Sequence, residues 1–506
     1  MGSHTKLSLL VGATACILLV AAKIMYLAFF HRLAKYPGPI VAKFTNLYAA
    51  YHGWKGDIHL DIYRCHQKYG KHVRYGPNKV LINTAQALHD IHGSTSSTNP
   101  KFQKARAYIP LIHRSPNTLT ILGGKDHGRR RRLMAQGVSE KAQRGYENRV
   151  LTHIQKFCNA LYTPGEERQK DMSQWCYYLS FDVMTDVVFS AHYSLLEKDD
   201  FRYVTKAIDA SNRRMSSFVQ MPGLAKLKTM DRYLFKEALI ARNQFIKYVT
   251  MVVKERLKRK DEGTDIFAHL AAAKDPETGE RFTPNEIHAE STTLIVAGSD
   301  TSSTALAALF FYLATNNEAY QKVTLEIRTT FFCQSEITMG SKLAGCSYLR
   351  ACIDESLRMA PPVGGPLWRE TLYPVMVDSE ALPAGCDVGV GIYSLHHSEE
   401  DFEKAYSYRP ERWLAKEGVE EARKAFAPFS MGIRGCLGKG LAMTEMMLTM
   451  AMVLYVGDFR VANGEIGLTG RGKKGDGAGR ERHEEYQLWD FITGQKNGPV
   501  LEFERR

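Results

Sequence analysis

The chain has 506 residues, of which 44% are hydrophobic and 24% charged, a balance typical of a globular protein whose core needs no disulfide cross-links. Nine cysteines are scattered without a Cys-x-x-Cys pair, which argues against a zinc site and for reduced thiols facing the cytosol. The net charge of +13 suits nucleic acid, an anionic membrane or an acidic protein, but no segment interleaves basic and aromatic residues, so we exclude nucleic acid as a partner.

The amino terminus predicts a membrane anchor. The stretch 7–30 has 24 residues and a single charge, Lys23. As a helix rising about 1.5 Å per residue it would be about 36 Å long, enough to cross a hydrocarbon core of about 30 Å with tilt. The alternative is a cleaved signal peptide, but the stretch exceeds a usual signal core and lacks a small-residue cleavage site after it.

Basic residues predict how the anchor is oriented. His31, Arg32 and Lys35 follow the apolar stretch, whereas only His4 and Lys6 precede it. Basic flanks stay in the cytosol, so this asymmetry favours a cytosolic carboxyl-terminal body.

A Pro-Gly-Pro segment at 37–39 separates the anchor from the rest of the chain, because proline cannot continue a helix. We therefore expect a membrane anchor with its cytosolic flank at 1–35 and a single domain at 36–506.

Periodic patterns predict a mainly α-helical body with small β-sheets. Helical patterns lie at 141–161, 233–259, 284–314 and 441–455. Strand-like patterns lie at 72–75, 79–82, 375–377 and 387–392. An exposed loop is expected at 464–479, and solvated faces are expected at the charge runs 129–132 and 254–260.

A glycine-rich segment, 426–440, surrounds Cys436 directly before a helical pattern. Amide groups at a helix amino terminus stabilise an anion, so this position favours a thiolate. Glycines let the backbone approach a large flat ligand and donate to the sulfur. Arg434 offers a cation for a carboxylate, and Phe429 offers an aromatic face near the sulfur. The alternative is a buried structural cysteine in a glycine-rich turn.

The pattern Phe429-x-x-Gly432-x-Arg434-x-Cys436-x-Gly438 resembles the haem-binding signature of cytochromes P-450. This resemblance implies the cytochrome P-450 fold with an amino-terminal transmembrane helix. It also implies haem b as the cofactor, with the Cys436 thiolate as the axial ligand to iron.

Two further segments fit the same family. Glu355-x-x-Arg358 matches its Glu-x-x-Arg motif, whose residues share one helix face, and Pro410-Glu-Arg412 matches the downstream segment that supplies a partner. The resemblance implies a buried Glu355–Arg358–Arg412 network with an architectural role.

The helical segment that starts at 284 contains Ala297-Gly298-Ser-Asp300-Thr301, which resembles the oxygen-binding groove of the family. The resemblance implies that the small residues leave room above the iron, that Thr301 hydrogen-bonds oxygen there, and that Asp300 relays protons. The alternative is a kinked helix with a polar, exposed face.

Basic side chains elsewhere are implied to bind the haem propionates. Asp126-His127-x-x-x-Arg131 resembles the helix C region of the family, with His127 where tryptophan is common. The resemblance implies that His127, Arg131, Arg369 and Arg434 contact the propionates.

The implied function is a membrane-bound monooxygenase that oxidises a hydrophobic small molecule by hydroxylation, epoxidation or oxidative ring formation. Its partners would be O2, membrane lipid and NADPH-cytochrome P-450 reductase, which would meet a basic patch including Arg129, Arg130 and Arg132. The implied location is the endoplasmic reticulum membrane, crossed once, with the catalytic domain facing the cytosol. The alternatives are a haem-thiolate isomerase or dehydratase and a non-catalytic haem sensor or electron carrier.

The substrate pocket is expected to be lined by the uncharged segments 362–367 and 108–112 and by the helix face around Ala297. Gly364 and Gly365 suggest room for a bulky substrate, such as a terpenoid, alkaloid or polyketide of fungal secondary metabolism. The alternative is that both glycines serve only turn geometry.

Overall fold

The computed structural model describes residues 2–93, 101–113, 115–163, 168–259 and 264–506. The helices are α1 (Gly2–Met25), α2 (Ile40–Phe44), α3 (Leu47–Lys55), α4 (Ile58–Tyr69), α5 (Ala85–His92), α6 (Gly124–Gly137), α7 (Glu140–Tyr162), α8 (Met172–Phe189), α9 (Tyr203–Gln220), α10 (Lys228–Leu234), α11 (Lys236–Lys258), α12 (Ile266–Ala272), α13 (Pro284–Thr315), α14 (Asn317–Thr330), α15 (Ser341–Ala344), α16 (Ser347–Met359), α17 (Ile392–His396), α18 (Val419–Ala425) and α19 (Lys439–Val456). Helices therefore dominate the molecule, as the periodicity predicts.

Within the described ranges, the strands form four small sheets. They are β1 (His72–Gly76), β2 (Lys79–Ile82), β3 (Phe102–Lys104), β4 (Gln169–Asp171), β5 (Arg369–Thr371), β6 (Val375–Val377), β7 (Glu380–Leu382), β8 (Asp387–Gly389), β9 (Gly457–Val461), β10 (Leu488–Phe491), β11 (Thr493–Lys496) and β12 (Val500–Arg505). The largest sheet has the order β1-β2-β8-β5-β3, and β2 and β8 are its parallel pair. The others have the orders β4-β12-β9, β10-β11 and β6-β7.

The predicted membrane anchor is one apolar helical segment outside the body. Helix α1 continues into a π-helical turn at Tyr26–Phe30. The segment Ser8–Phe30 has 23 residues and a mean hydropathy of 2.1, and none of it is buried. Helices α13 and α19 are also long and apolar enough to cross a membrane, but most of each is buried in the body. Among the three such helices in the described residues, the amino-terminal one therefore has the exposure that fits an anchor.

Helix α13 lies at the centre of the body, and its start is well defined. Thr283 accepts from the Glu286 amide while the Glu286 side chain accepts from the Thr283 amide, and Pro284 occupies the first turn. Further along, a side-chain carbon added to Gly298 would lie 2.5 Å from the Met184 sulfur. Gly298 thus lets α8 pack closely against α13.

Two predicted elements have different bounds in the structure. The helical pattern 233–259 is divided at Phe235, whose φ of −130° and ψ of 34° are not helical and separate α10 from α11. The strand pattern 387–392 ends at Gly389, and Ile392 begins α17. The apolar residues on both sides of this boundary are buried, so hydrophobicity alone cannot distinguish a strand from a helix there. In the predicted loop 464–479, a short 3-10 turn forms at its start.

The expectation that Arg129, Arg130 and Arg132 face solvent was wrong. Arg130 is buried and binds both Glu286 and Glu290 on α13, with N···O distances of 2.8 and 3.1 Å. Arg129 also pairs with Glu286, and Arg132 pairs with an aspartate that precedes α13. These arginines attach α6 to α13, so their charge is largely committed within the fold.

The charge run 254–260 is also not uniformly solvated. Arg256 is buried and its Nε lies 2.7 Å from Asp265, which is fully buried. A buried charge needs a partner of this kind, and the pair connects α11 to the start of α12. Lys260 lies outside the described residues.

Candidate active site

The loop before α19 holds Cys436 by backbone hydrogen bonds. The Cys436 amide donates to the carbonyl of Phe429 at 2.8 Å, and the Gly435 amide donates to the carbonyl of Gly432 at 3.0 Å. Gly432 has a φ of +66°, which favours glycine, and Ser430 adopts a similar conformation with φ of +54°. The result is a tight turn that presents the sulfur at the amino terminus of α19.

The environment of the Cys436 thiol is mixed. Its side chain is accessible, yet protein surrounds it on most sides, and this burial raises the pKa of the thiol above its usual value. The amides of Gly438 and Lys439 and the charge of Arg131 act in the opposite direction. The groups expected to favour a thiolate are therefore present, but burial outweighs them.

Basic side chains from distant segments gather beside this loop. Arg131 on α6 donates to the carbonyl of Gly435 at 2.7 Å, and Arg434 donates to the carbonyls of Ile121 and Leu122 at 2.8 and 2.7 Å. The set, which we call the cation cluster, comprises His92, Lys104, His127, Arg131, Arg369 and Arg434. Within the described parts of the chain, no member forms an ion pair with a carboxylate.

The mutual repulsion in the cation cluster appears in its pKa values. Burial and then Arg434, Arg131 and Lys104 lower the pKa of His127 to about 3. Burial and then Arg369 lower the pKa of Arg434 to about 10. The Nδ1 atom of His127 is buried and has no hydrogen-bond partner among the described residues. Such a site is suited to an anion, which would supply the missing negative charge.

Two members of the cluster meet across a sheet. Lys104 at the end of β3 pairs with Arg369 at the start of β5 in antiparallel register. Both are buried, and like charges directly opposite each other destabilise a sheet. Burial and the charges of Arg369 and Arg434 hold the pKa of Lys104 well below its ordinary value. This pairing again calls for a negatively charged ligand.

On α13, the Asp300 side chain is buried, whereas the Thr301 side chain is accessible. The Asp300 carboxylate is fully buried and accepts hydrogen bonds from Asn212 on α9 and Thr493 on β11 through Oδ2. Its Oδ1 has no hydrogen-bond partner among the described residues, and burial raises the pKa of this carboxyl. The structure therefore does not join Asp300 to Thr301 by a direct hydrogen bond.

Thr301 lies on the accessible part of α13. Its hydroxyl donates to the carbonyl of Ala297 at 2.6 Å, and Ala297 itself is exposed. The two predicted small residues have different roles. Gly298 packs against the Met184 side chain, whereas Ala297 is exposed on the surface of α13.

The predicted ion network is confirmed. Arg358 donates to both oxygens of Glu355, at 3.0 and 2.9 Å, and Arg412 donates to one of them at 3.0 Å. Trp413 adds a fourth bond through Nε1 at 3.0 Å. Burial alone would raise the pKa of Glu355, but the two arginines outweigh it and the pKa lies below its usual value. The network joins α16 to the segment that leads to Cys436.

The sequence profile of the family described as Cytochrome P-450 matches residues 36–465. The chain belongs to the cytochrome P-450 family. It is 41% identical to the cytochrome P-450 monooxygenase AKT7 of Alternaria alternata over 96% of this chain and 95% of the relative. It is also 41% identical to the monooxygenase poxM of Penicillium oxalicum over 99% and 96% of the two chains, and 39% identical to atnE of Emericella nidulans over 94% and 93%.

Membership in the cytochrome P-450 family implies a haem with thiolate ligation, and the site residues fit that group. A haem carries two carboxylates, which would complete a cation cluster for which the described residues provide no carboxylate partner. The thiol of Cys436 lies next to this cluster, since Arg131 both bonds its loop and acts on its pKa. The family and its relatives identify the protein as a haem-thiolate monooxygenase.

The pocket glycines have a packing role. A side-chain carbon on Gly364 would lie 3.3 Å from both His59 and Tyr393, and one on Gly365 would lie 2.9 Å from the Asp490 carboxylate. The structure thus favours close packing of this loop over room for a bulky substrate. Tyr108 is buried, and its hydroxyl oxygen accepts from the amide of Trp368 at 3.1 Å.

Some site residues carried no signal in the sequence. His92 and Lys104 are isolated basic residues in unremarkable segments, and Asn212 and Thr493 lie far from the Asp300 that they bind. The pairing of β3 with β5 brings Lys104 into place, and the docking of the β10–β11 hairpin on α13 does the same for Thr493.

Replacing Lys104 with methionine should weaken haem retention. A hydrogen bond to a charged group contributes about 1.5–3 kcal/mol, so haem transfer to a haem-free acceptor protein should accelerate by about tenfold or more. Lys101→Met is the matched control, since Lys101 is exposed and lies directly before β3, three residues from Lys104. Equal transfer rates in both variants would remove Lys104 from the haem site.

Proposed function

We propose that the chain is a membrane-anchored monooxygenase in which Cys436 ligates the iron of haem b. The observation that carries this proposal is the cation cluster, which lies beside the Cys436 loop without any described carboxylate partner. His127, Arg131, Arg369 and Arg434 would bind the propionates, with Lys104 as a further contact. Phe429 would flank the sulfur and holds its loop through the Cys436 amide. Haem, when bound, supplies the activation of O2.

Thr301 and Asp300 on α13 would hold and transfer protons during the reaction. The Thr301 hydroxyl is accessible, and because it donates to the Ala297 carbonyl, its oxygen can accept a hydrogen bond within the site. Asp300 can hold a proton on its free Oδ1, because burial raises its pKa and Asn212 and Thr493 fix Oδ2. Asp209 lies close enough for the two carboxyls to influence each other, and burial followed by Asp300 raises the pKa of Asp209 to about 7.

We place residues 36–506 in one catalytic domain on the cytosolic face of the endoplasmic reticulum membrane, which residues 8–30 would cross once. The exposed apolar segment and the basic residues after it support this orientation. Electrons would come from NADPH through a cytochrome P-450 reductase. Because Arg129, Arg130 and Arg132 are paired within the fold, a basic docking surface must draw on other residues.

The substrate would be a hydrophobic small molecule of fungal secondary metabolism, such as a terpenoid, alkaloid or polyketide. The uncharged segment 108–112 and the accessible Ala297 support an apolar pocket, whereas Gly364 and Gly365 in the segment 362–367 are closely packed against neighbouring side chains. The reaction would be hydroxylation, epoxidation or oxidative ring formation.

The deciding experiment supplies membranes carrying the protein and its reductase with NADPH, labelled O2 and candidate pathway intermediates. A monooxygenase consumes oxygen in an NADPH-dependent way and, for hydroxylation or epoxidation, adds labelled oxygen to the product mass. A haem-thiolate isomerase or dehydratase would convert its substrate without NADPH, and a haem sensor or electron carrier would yield no product at all.

Thr301→Val should uncouple NADPH consumption from product formation. The loss of one hydrogen-bonding hydroxyl costs about 0.5–1.5 kcal/mol, so product formed per NADPH should fall roughly 3–10-fold while peroxide release rises. Thr315→Val is the control, because Thr315 makes the same bond to a carbonyl four residues earlier, at the far end of α13. If both variants couple normally, Thr301 has no role in oxygen chemistry.

A further inference from the structure

A second group of ligand atoms lies on α7 and α8, apart from the residues of the haem site. His153 on α7, Asp186 on α8 and His192 just after α8 each offer one atom, and these atoms all lie within 4.8 Å of one another. The Asp186 Oδ2 is 3.0 Å from the His153 Nε2 and 3.5 Å from the His192 Nδ1. Both imidazoles thus converge on a single carboxylate oxygen.

The chain reverses direction at the end of α8, which brings the His192 side chain close to Asp186. Ser190 has a φ of +51°, and its amide donates to the carbonyl of Asp186 at 2.7 Å. The next amide, that of Ala191, donates back to the carbonyl of Thr185 at 3.3 Å. This left-handed end reverses the chain within two residues and places the His192 ring against the last turn of α8.

The two oxygens of Asp186 have separate partners. Arg149 lies 3.4 Å from Oδ1 and also donates to the Ser190 hydroxyl at 2.8 Å, which fixes the carboxylate and the helix end together. Oδ2 is left to the two histidines. Asp186 is therefore oriented to bind a cation through one oxygen, while Arg149 occupies the other.

The distances from the Asp186 oxygen to the two imidazole nitrogens match those around a tetrahedral metal ion. Zinc bonds to nitrogen and carboxylate oxygen are about 2.0–2.1 Å long, so neighbouring ligand atoms lie about 3.3 Å apart. The observed 3.0 and 3.5 Å bracket that value. The side chains of His153 and Asp186 are buried and that of His192 is 66% exposed, so the fourth position faces solvent. Two imidazoles and one carboxylate suit zinc and not magnesium.

We infer that His153, Asp186 and His192 form a zinc site with one open coordination position on the surface of the domain. The ligand set contains no cysteine, so the absence of a Cys-x-x-Cys pair does not bear on it. The site is separate from haem chemistry, and its existence does not depend on the proposed function.

The test uses the full-length, haem-loaded protein after treatment with a chelator. Titration with Zn2+ against a chromophoric chelator should reveal one saturable site per chain, and Mg2+ in excess should not compete. His192→Ala should weaken zinc binding at least tenfold, because removing a ligand should cost no less than the 10–100-fold typical of outer partners. His192 is exposed, so this substitution leaves the packing intact.

His483→Ala is the matched control, since His483 is an exposed histidine distant in sequence from the three ligands. Its zinc affinity should equal that of the unmodified chain, and the carbon monoxide spectrum should be unchanged in both variants. Asp186→Asn provides a second disruption that keeps the side-chain volume. Zinc affinity retained in His192→Ala, or no saturable zinc binding by the unmodified chain, would overturn the inference.

Discussion

Cys436→Ala should abolish the thiolate signature of the reduced protein in the presence of carbon monoxide. Alanine has no atom that can ligate iron, and the sulfur electron density that promotes O–O cleavage would be lost with it. The substitution removes only a small side chain from a loop held by the Cys436 and Gly435 amides, so the fold should persist. Monooxygenase activity should be undetectable. The measurement is the Soret band of the reduced carbon monoxide complex, together with product formation.

Cys333→Ala provides the control for this experiment. Cys333 is also an exposed free cysteine, but it lies beside a surface turn after α14. Its spectrum and activity should match those of the unmodified protein. A thiolate band that survives in Cys436→Ala would refute Cys436 as the ligand, and a loss of the band in Cys333→Ala would redirect the assignment.

The parts of the site that are encoded over short distances could be predicted from the sequence. The spacing from Phe429 to Gly438 predicts one turn, and Glu355-x-x-Arg358 predicts two side chains on one helix face. The structure has this turn directly before α19 and the pair on α16. Local geometry needs no knowledge of the rest of the chain.

The charge partners could not be predicted in the same way. Four consecutive arginines resemble a solvated face, but Arg130 finds Glu290 in a segment that is 160 residues away. Lys104 meets Arg369 only because β3 pairs with β5 in one register. The sequence of a charge run does not reveal whether its side chains are solvated or buried. Tertiary packing determines which partner each charged side chain meets.

The Cys436 pKa gives a second example of this limit. The sequence predicts amide donors at the start of α19, and the Gly438 and Lys439 amides are in place. The sequence does not show how deeply the sulfur of Cys436 is buried. That burial determines the net direction of the pKa, which lies above the usual value of a thiol.

Glu355→Gln should be among the most destabilising single substitutions in the protein. Glutamine keeps the shape of the side chain but removes the negative charge that Arg358, which is fully buried, and Arg412 share. Breaking a buried pair in this way costs roughly 3–5 kcal/mol, because the cations are left uncompensated. The free energy of unfolding, measured by urea titration at pH 7, should fall by that amount. Glu403→Gln is the control, since its pair with Arg409 is exposed and contributes about 0–1 kcal/mol.

The pH dependence separates the loss of charge from a change in packing. The pKa of Glu355 is lowered in the folded protein, so its stabilising effect is complete at pH values above the unfolded pKa and disappears as the pH falls through the folded pKa. Glu355→Gln cannot titrate at this position. The difference in unfolding free energy between the two proteins should therefore be largest near neutral pH and shrink in acid. A difference that stays constant from neutral to acid pH would assign the effect of Glu355 to packing instead of charge.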